Sequence, residues 1–189
     1  KTTDGGTTWV AMTPTNVGST NYTVDAFDAT TAWVTGTVGG TANCSIWKTT
    51  DGGTSWVSQY NNPTGFGDAV RMFNANEGVY FGDPDPFPSA FWELLTTTDG
   101  GTTWTRVPAS NYPPANGGDS EAGTACSMEM VGNTVWFASY TATGTSDFVY
   151  KSTDKGFNWT VASFTALVGG STFLAFADLN NGVAMCLDN

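Results

Sequence analysis

Carboxyl groups are the side chains through which this sequence could do chemistry. It holds 17 Asp and Glu against 6 Lys and Arg and no His, a formal net charge of −11 over 189 residues. The missing histidine excludes a Ser-His or Cys-His nucleophile pair, an imidazole-ligated zinc and an imidazole switch. So few basic residues cannot build the positive surface that releases counterions from DNA or RNA. The charge repels anionic lipid, and no apolar run approaches the ~18 residues of a membrane span.

The acids with the most suggestive spacing lie in loops. Residues 82–91, GDPDPFPSAF, carry Asp83, Asp85 and Phe87 on a proline-stiffened, aromatic segment. Residues 111–121, NYPPANGGDSE, add Tyr112, Asp119 and Glu121, and residues 61–68, NNPTGFGD, add Phe66 and Asp68. Two nearby carboxylates suit two chemistries. One is oxygen ligation of calcium by Asp83 and Asp85, joined by Asp119 or Glu121. The other is the acid/base pair of glycoside hydrolysis, whose carboxyls stand several ångströms apart. Exposed Phe66, Phe87, Trp92 or Tyr112 would stack on sugar rings, although Trp92 fits packing between sheets better. The candidate ligand-binding residues are therefore Asp83, Asp85, Phe87, Tyr112 and Asp119. No residue is assigned as catalytic, and calcium is the one candidate cofactor.

A repeat determines which elements position these loops. The segment KTTDGGTTW at residues 1–9 recurs as KTTDGGTSW at 48–56, TTTDGGTTW at 96–104 and KSTDKGFNW at 151–159. Its aspartates, Asp4, Asp51, Asp99 and Asp154, recur with a period of about 50 residues, the signature of a repeat architecture. Asp followed by Gly-Gly is turn chemistry: the carboxylate accepts backbone N–H bonds and glycine supplies the φ > 0 position. Flanking Thr and Ser hydroxyls add side-chain-to-backbone bonds. The closing Trp opens the next strand and covers the turn. The segment thus reads as strand, stiffened turn, strand.

These residues resemble the Asp-box, or BNR, repeat, with the pattern Ser/Thr-x-Asp-x-Gly-x-Thr/Ser-Trp, of the sialidase-like superfamily. Three copies match in full, through Thr2, Asp4, Gly6, Thr8 and Trp9; Thr49, Asp51, Gly53, Ser55 and Trp56; and Thr97, Asp99, Gly101, Thr103 and Trp104. The fourth keeps Ser152, Asp154, Gly156 and Trp159 but has Asn158 in the Thr/Ser position, which would remove one hydroxyl bond. The resemblance implies an all-β propeller of four-stranded antiparallel blades, with the turn between the third and fourth strands of each blade.

Strand-like runs between the turns fit four strands per repeat. They fall at 22–27, 31–36 and 44–48, then 69–73, 78–81 and 91–95, then 126–130, 134–138 and 148–151, and finally 172–176 and 182–186. Residues 1–189 read as one propeller portion with repeats near 1–12 (the end of a blade), 22–60, 68–108, 124–163 and 171–189 (the start of a blade). The termini suggest part of a larger ring. The alternative is a four-bladed ring in which the last two strands join residues 1–10. The varied loops would share the end opposite the aspartate turns.

The known enzymes of this superfamily narrow the function. Sialidases hold a substrate carboxylate with three arginines, and this chain has only Arg71 and Arg106. Xyloglucanase-type propellers use paired aspartates and remain compatible. Photosystem assembly-factor propellers match in repeat style, but their basic surface has no counterpart here. In texture, the run from Gly82 to Pro108 and KSTDKGFNW are most similar to secreted Asp-box proteins of Bacteroidetes-type bacteria exported by type IX secretion. That resemblance implies a secreted or cell-surface location. Cys44, Cys126 and Cys186 lack metal-site spacing and read as buried thiols, with Cys126 and Cys186 near enough in blade order to pair. The sequence expectation is a non-catalytic extracellular module that binds a glycan or protein or serves surface assembly. The alternative is a lobe of a glycoside hydrolase.

Overall fold

In the computed structural model, residues 1–12, 17, 20–37, 43–85, 91–115, 121–141, 146–165 and 171–186 are described. Strands β1 (Thr20–Ala26), β2 (Ala32–Thr37), β3 (Cys44–Thr49) and β4 (Val57–Asn62) form one antiparallel sheet in that order. Strands β5 (Gly67–Met72), β6 (Gly78–Pro84), β7 (Trp92–Thr97) and β8 (Thr105–Arg106) form the second. In the third, β11 (Thr134–Thr141), β12 (Ser146–Ser152) and β13 (Thr160–Thr165) follow an inner strand in two pieces, β9 (Glu121–Gly123) and β10 (Glu129–Val131), both paired with β11. Strands β14 (Thr172–Phe176) and β15 (Gly182–Cys186) make a two-stranded sheet. Among the described residues no helix is long and apolar enough to cross a membrane.

The split inner strand corrects one sequence expectation. Cys126 lies in a turn with φ of 67°, exposed, and pairing resumes only at Glu129. The three cysteines are unbridged, with Cys44 buried in β3 and Cys186 half-buried in β15.

Each sheet packs face to face on the next, so central strands are covered on both sides. Every residue of β7, WELLTT, is buried for that reason. The inner edge strands leave N–H groups that their own sheet cannot pair, and the preceding blade supplies acceptors. Val70 N–H donates to Thr23 Oγ1 at 3.1 Å and Met72 N–H to Asp25 Oδ2 at 2.6 Å. Thr172 N–H donates to Thr124 Oγ1 at 3.2 Å. These bonds join blades through side chains at their inner strands.

The recurrent turns sit where the repeat predicts, between β3 and β4, β7 and β8, and β12 and β13. In the second copy Thr49 Oγ1 donates to Asp51 Oδ1 (2.9 Å) and accepts from Gly53 N–H (2.9 Å). Ser55 donates its N–H to Oδ1 (2.9 Å) and its hydroxyl to Oδ2 (2.6 Å) of Asp51, while Trp56 Nε1 caps Gly53 O at 3.2 Å. Gly52 and Gly53 take φ of 73° and 92°, a region costly for side chains with a Cβ. In the fourth copy Lys155 holds φ of 61° instead, and its amine reaches Glu77 Oε2 at 2.5 Å in the preceding blade. Asn158 does not lose the missing hydroxyl's bond, because its Nδ2 donates to Asp154 Oδ2 at 2.7 Å.

A second turn, between β1 and β2, β5 and β6, and β14 and β15, lies at the same end. Its Asp or Asn accepts from backbone two and three residues on, as at Asp28, Asn74 and Asp178. The two turns of a blade are tied together by Gly52 N–H to Thr30 O and Gly100 N–H to Asn76 O, both 2.8 Å. The remaining connections therefore occupy the opposite end.

The first turn, residues 1–12, is held by a reciprocal pair between Lys1 and Val10 at 2.7 and 2.8 Å. Among the described residues it joins no sheet and does not pair with β14–β15. Trp9 is 72% exposed where its counterpart Trp56, enclosed by a complete blade, is 8% exposed.

Candidate functional site

The loop end concentrates carboxyl groups, and the blade seams determine what each one meets. Asp85 follows β6 and its oxygens accept from Asn62 Nδ2 (2.8 Å) and Thr64 Oγ1 (3.0 Å). Arg106, at the end of β8, stands 4.0 Å from Asp85 Oδ2 and donates through Nη2 to Asp85 O at 3.2 Å. With Phe91, Val107, Pro108, Ala109 and Tyr112 these two line a cleft of about 390 Å³, within the usual size range of small-ligand sites. The Phe91 ring is 47% exposed, whereas Tyr112 is buried and donates its hydroxyl to Trp92 O at 3.2 Å.

Of the sequence-predicted residues, the structure thus brings Asp85 and Tyr112 to one cleft. Asp83 points elsewhere. Its Oδ1 accepts from Gly123 N–H at 2.7 Å in the third blade, so it does not converge with Asp85 as a ligand pair. Phe87 and Asp119 lie outside the described residues. Trp92 is fully buried, with ring centroids 5.3 Å from Phe137 and 5.4 Å from Tyr150. Among the described residues no three Asp, Glu, Cys or His side chains gather as a ligand set.

Further buried carboxyls are Glu93 and Asp147, which the sequence did not single out, and Glu121, which it offered as a calcium ligand. Glu93, beside Trp92 in β7, accepts from Tyr60 OH (2.6 Å), Asn62 Nδ2 (2.6 Å), Tyr80 OH (3.2 Å) and Cys44 Sγ (3.3 Å). It joins the first blade to the second. Burial and the neighbouring Glu93 charge push the Cys44 thiol far above its ordinary range, so it is inert. Glu121 accepts from Ser139 Oγ (2.5 Å) and Tyr150 OH (3.1 Å) within the third blade. Asp147 accepts from Thr172 Oγ1 and Cys186 Sγ across the next seam. The available signal was an acid interrupting an apolar strand, as in FWELL and DFVY, which a four-stranded blade places at a seam.

The two ends respond oppositely to pH. Hydrogen bonds from Thr8 and from Ser55 hold Asp4 and Asp51 down at about 2. A carboxyl lowered in the folded state contributes stability above its unfolded pKa of about 4 and loses it as pH falls toward 2. Burial instead raises Asp83 to about 6 and Asp68 well above its ordinary value, with Asp83 and Glu93 adding repulsion at Asp68. A raised carboxyl weakens the folded state as pH climbs from about 4 through about 6. Thermal melts in chelator across pH 2–8 are expected to peak between about 4 and 5 and fall on both sides. A plateau extending unchanged to pH 8 would contradict the buried-carboxyl half of this account.

Four-stranded antiparallel blades, packed face to face and joined at their inner strands, make the protein a β-propeller. YCF48 bound to a D1 peptide is similar with a TM-score of 0.53 at 23% identity, over 75% of this chain and 39% of that one. An α-L-arabinofuranosidase from Fusarium graminearum in complex with an iminosugar inhibitor gives 0.51 at 14% identity, over 82% of this chain and 53% of the other. No protein-family model matches the sequence, and no curated protein does.

Proposed function

We propose that the protein is a secreted Asp-box propeller module that binds a glycan or protein at its loop end and performs no chemistry of its own. The observation that carries this reading is the cleft of Asp85, Phe91, Arg106 and Tyr112. It offers an exposed aromatic face beside an exposed guanidinium, a combination suited to sugar rings or peptide oxygens. Both side-chain oxygens of Asp85 accept hydrogen bonds from protein donors, which hold it beside Arg106. The same fold holds a peptide in one structural neighbour and an iminosugar in another, so it accommodates either ligand class. The secreted setting rests on the resemblance to Bacteroidetes-type Asp-box proteins and on the strongly acidic composition.

Glycan-array and peptide-display binding, with Arg106→Ala alongside the wild type, test the reading. Binding weakened at least about tenfold by that substitution is expected, the loss of one charge-assisted hydrogen-bonding group. A panel of chromogenic glycosides should show no turnover. Turnover abolished by Asp85→Asn would replace this reading with that of a hydrolase lobe.

A further inference from the structure

At the loop end of the seam between the second and third blades, two carboxyl groups converge on one main-chain glycine. Asp68 sits in β5 where the register against β6 slips between Gly67 and Ala69. A bulge of this kind leaves its extra residue out of the ladder and re-aims its side chain. Asp83 follows Gly82, the partner of Gly67, in the neighbouring strand. Gly123 of β9 donates its N–H to Asp83 Oδ1 at 2.7 Å, and a Cβ there would collide with Asp68 Oδ2. Both carboxyls therefore press against the same residue of the third blade.

Asp68 is 1% exposed, and its buried Oδ2 has no hydrogen-bond donor among the described residues. The charged and titratable groups around the pair are Glu93 on β7, Tyr80 on β6, Tyr140 on β11, and Cys126 with Arg71 beside it. The Arg71 guanidinium does not reach the carboxyls, and its Nη1 donates to Val70 O at 3.2 Å. An acid buried in this way without a cationic partner is costly, and a bound cation removes the cost. We propose that Asp68 and Asp83 form a divalent-cation site at this seam, with calcium as its occupant. The donors are carboxylate oxygens, which suit hard cations and disfavour zinc or copper. Calcium accepts main-chain carbonyls and water in an irregular shell, whereas magnesium demands a near-ideal octahedron. With two carboxylates the site is weak, in the range of about 10⁻⁴–10⁻³ M found for extracellular modules.

The test is calorimetric titration and thermal melting of chelator-treated protein at pH 7.5 with calcium chloride and, separately, magnesium chloride. Calcium is expected to raise the melting temperature by several degrees, and magnesium by less. Asp68→Asn removes a buried charge, so it should raise the melting temperature of the metal-free protein while abolishing the calcium increment. Asp83→Asn should abolish that increment too, which keeps the test open if the first variant does not fold. A calcium increment that survives both substitutions places the ion elsewhere and overturns the proposal. No response to millimolar calcium, with stabilisation on acidification to pH 5 instead, assigns the pair a shared proton and also overturns it.

Discussion

Replacing Glu93 with alanine is expected to lower the unfolding free energy by about 2–4 kcal/mol, the cost of taking a carboxylate acceptor away from buried hydrogen-bond donors. Tyr60, Asn62, Tyr80 and Cys44 each lose a bond, although Asn62 keeps Asp85 Oδ2 at 2.8 Å and Tyr80 keeps Cys44 Sγ at 3.0 Å. Asn62 and Tyr60 are half-buried and recover part of the loss by bonding water, but Tyr80 and Cys44 are sealed between the first and second blades. The Cys44 thiol is the sealed donor left without an acceptor, at a cost of about 1–3 kcal/mol. Glu93→Gln keeps the volume and separates the contributions. Its amide oxygen can serve Tyr60 and Asn62 while its NH₂ donates to Tyr80, whose hydroxyl reverses roles. The expected loss is then about 1–2 kcal/mol. Urea denaturation of both variants measures the difference, and an alanine cost below about 1 kcal/mol would show that the first seam does not depend on this acid.

One residue away, Trp92→Ala is expected to cost about 3–5 kcal/mol for a different reason. Alternation along β7 turns Trp92 to the opposite face, toward the third blade. There it meets Phe137 and Tyr150 edge-on, with Phe81 6.3 Å away in its own blade. Phe137 and Tyr150 stack at 4.6 Å behind it, so the surroundings are too rigid to collapse into the space left by an indole. Trp92→Phe should cost far less than alanine. The indole Nε1 is buried with no hydrogen-bond partner among the described residues, so phenylalanine removes an orphaned donor along with some contact area. If phenylalanine were as damaging as alanine, the indole N–H would have a partner that packing does not account for. The neighbouring side chains of β7 thus hold separate seams, one by hydrogen bonding and one by aromatic packing.

The aspartate turns are legible in the amino-acid sequence by itself. Asp51 bonds to residues no more than four positions away, and the same holds for Asp4, Asp99 and Asp154. Such geometry is carried by contiguous residues, so a nine-residue pattern predicts the turn in every copy and, in the second to fourth, the strands on either side. The strand pattern gained only small adjustments at its ends. The exception, the run from Cys126 to Met130, fails because Cys126 takes a left-handed conformation that its composition does not announce.

The loop end obeys no local rule. Glu93 meets Cys44 across 49 residues and Asp83 meets Gly123 across 40. Proximity in the chain made Asp83 and Asp85 look like a pair, yet they serve different surroundings, one facing the third blade and the other facing Asn62 and Arg106. Turn chemistry acts over a few bonds of the same backbone and is therefore written in neighbouring letters. Seam chemistry depends on which face of a strand a residue occupies and which blade is packed there, and folding sets both by bringing distant segments together.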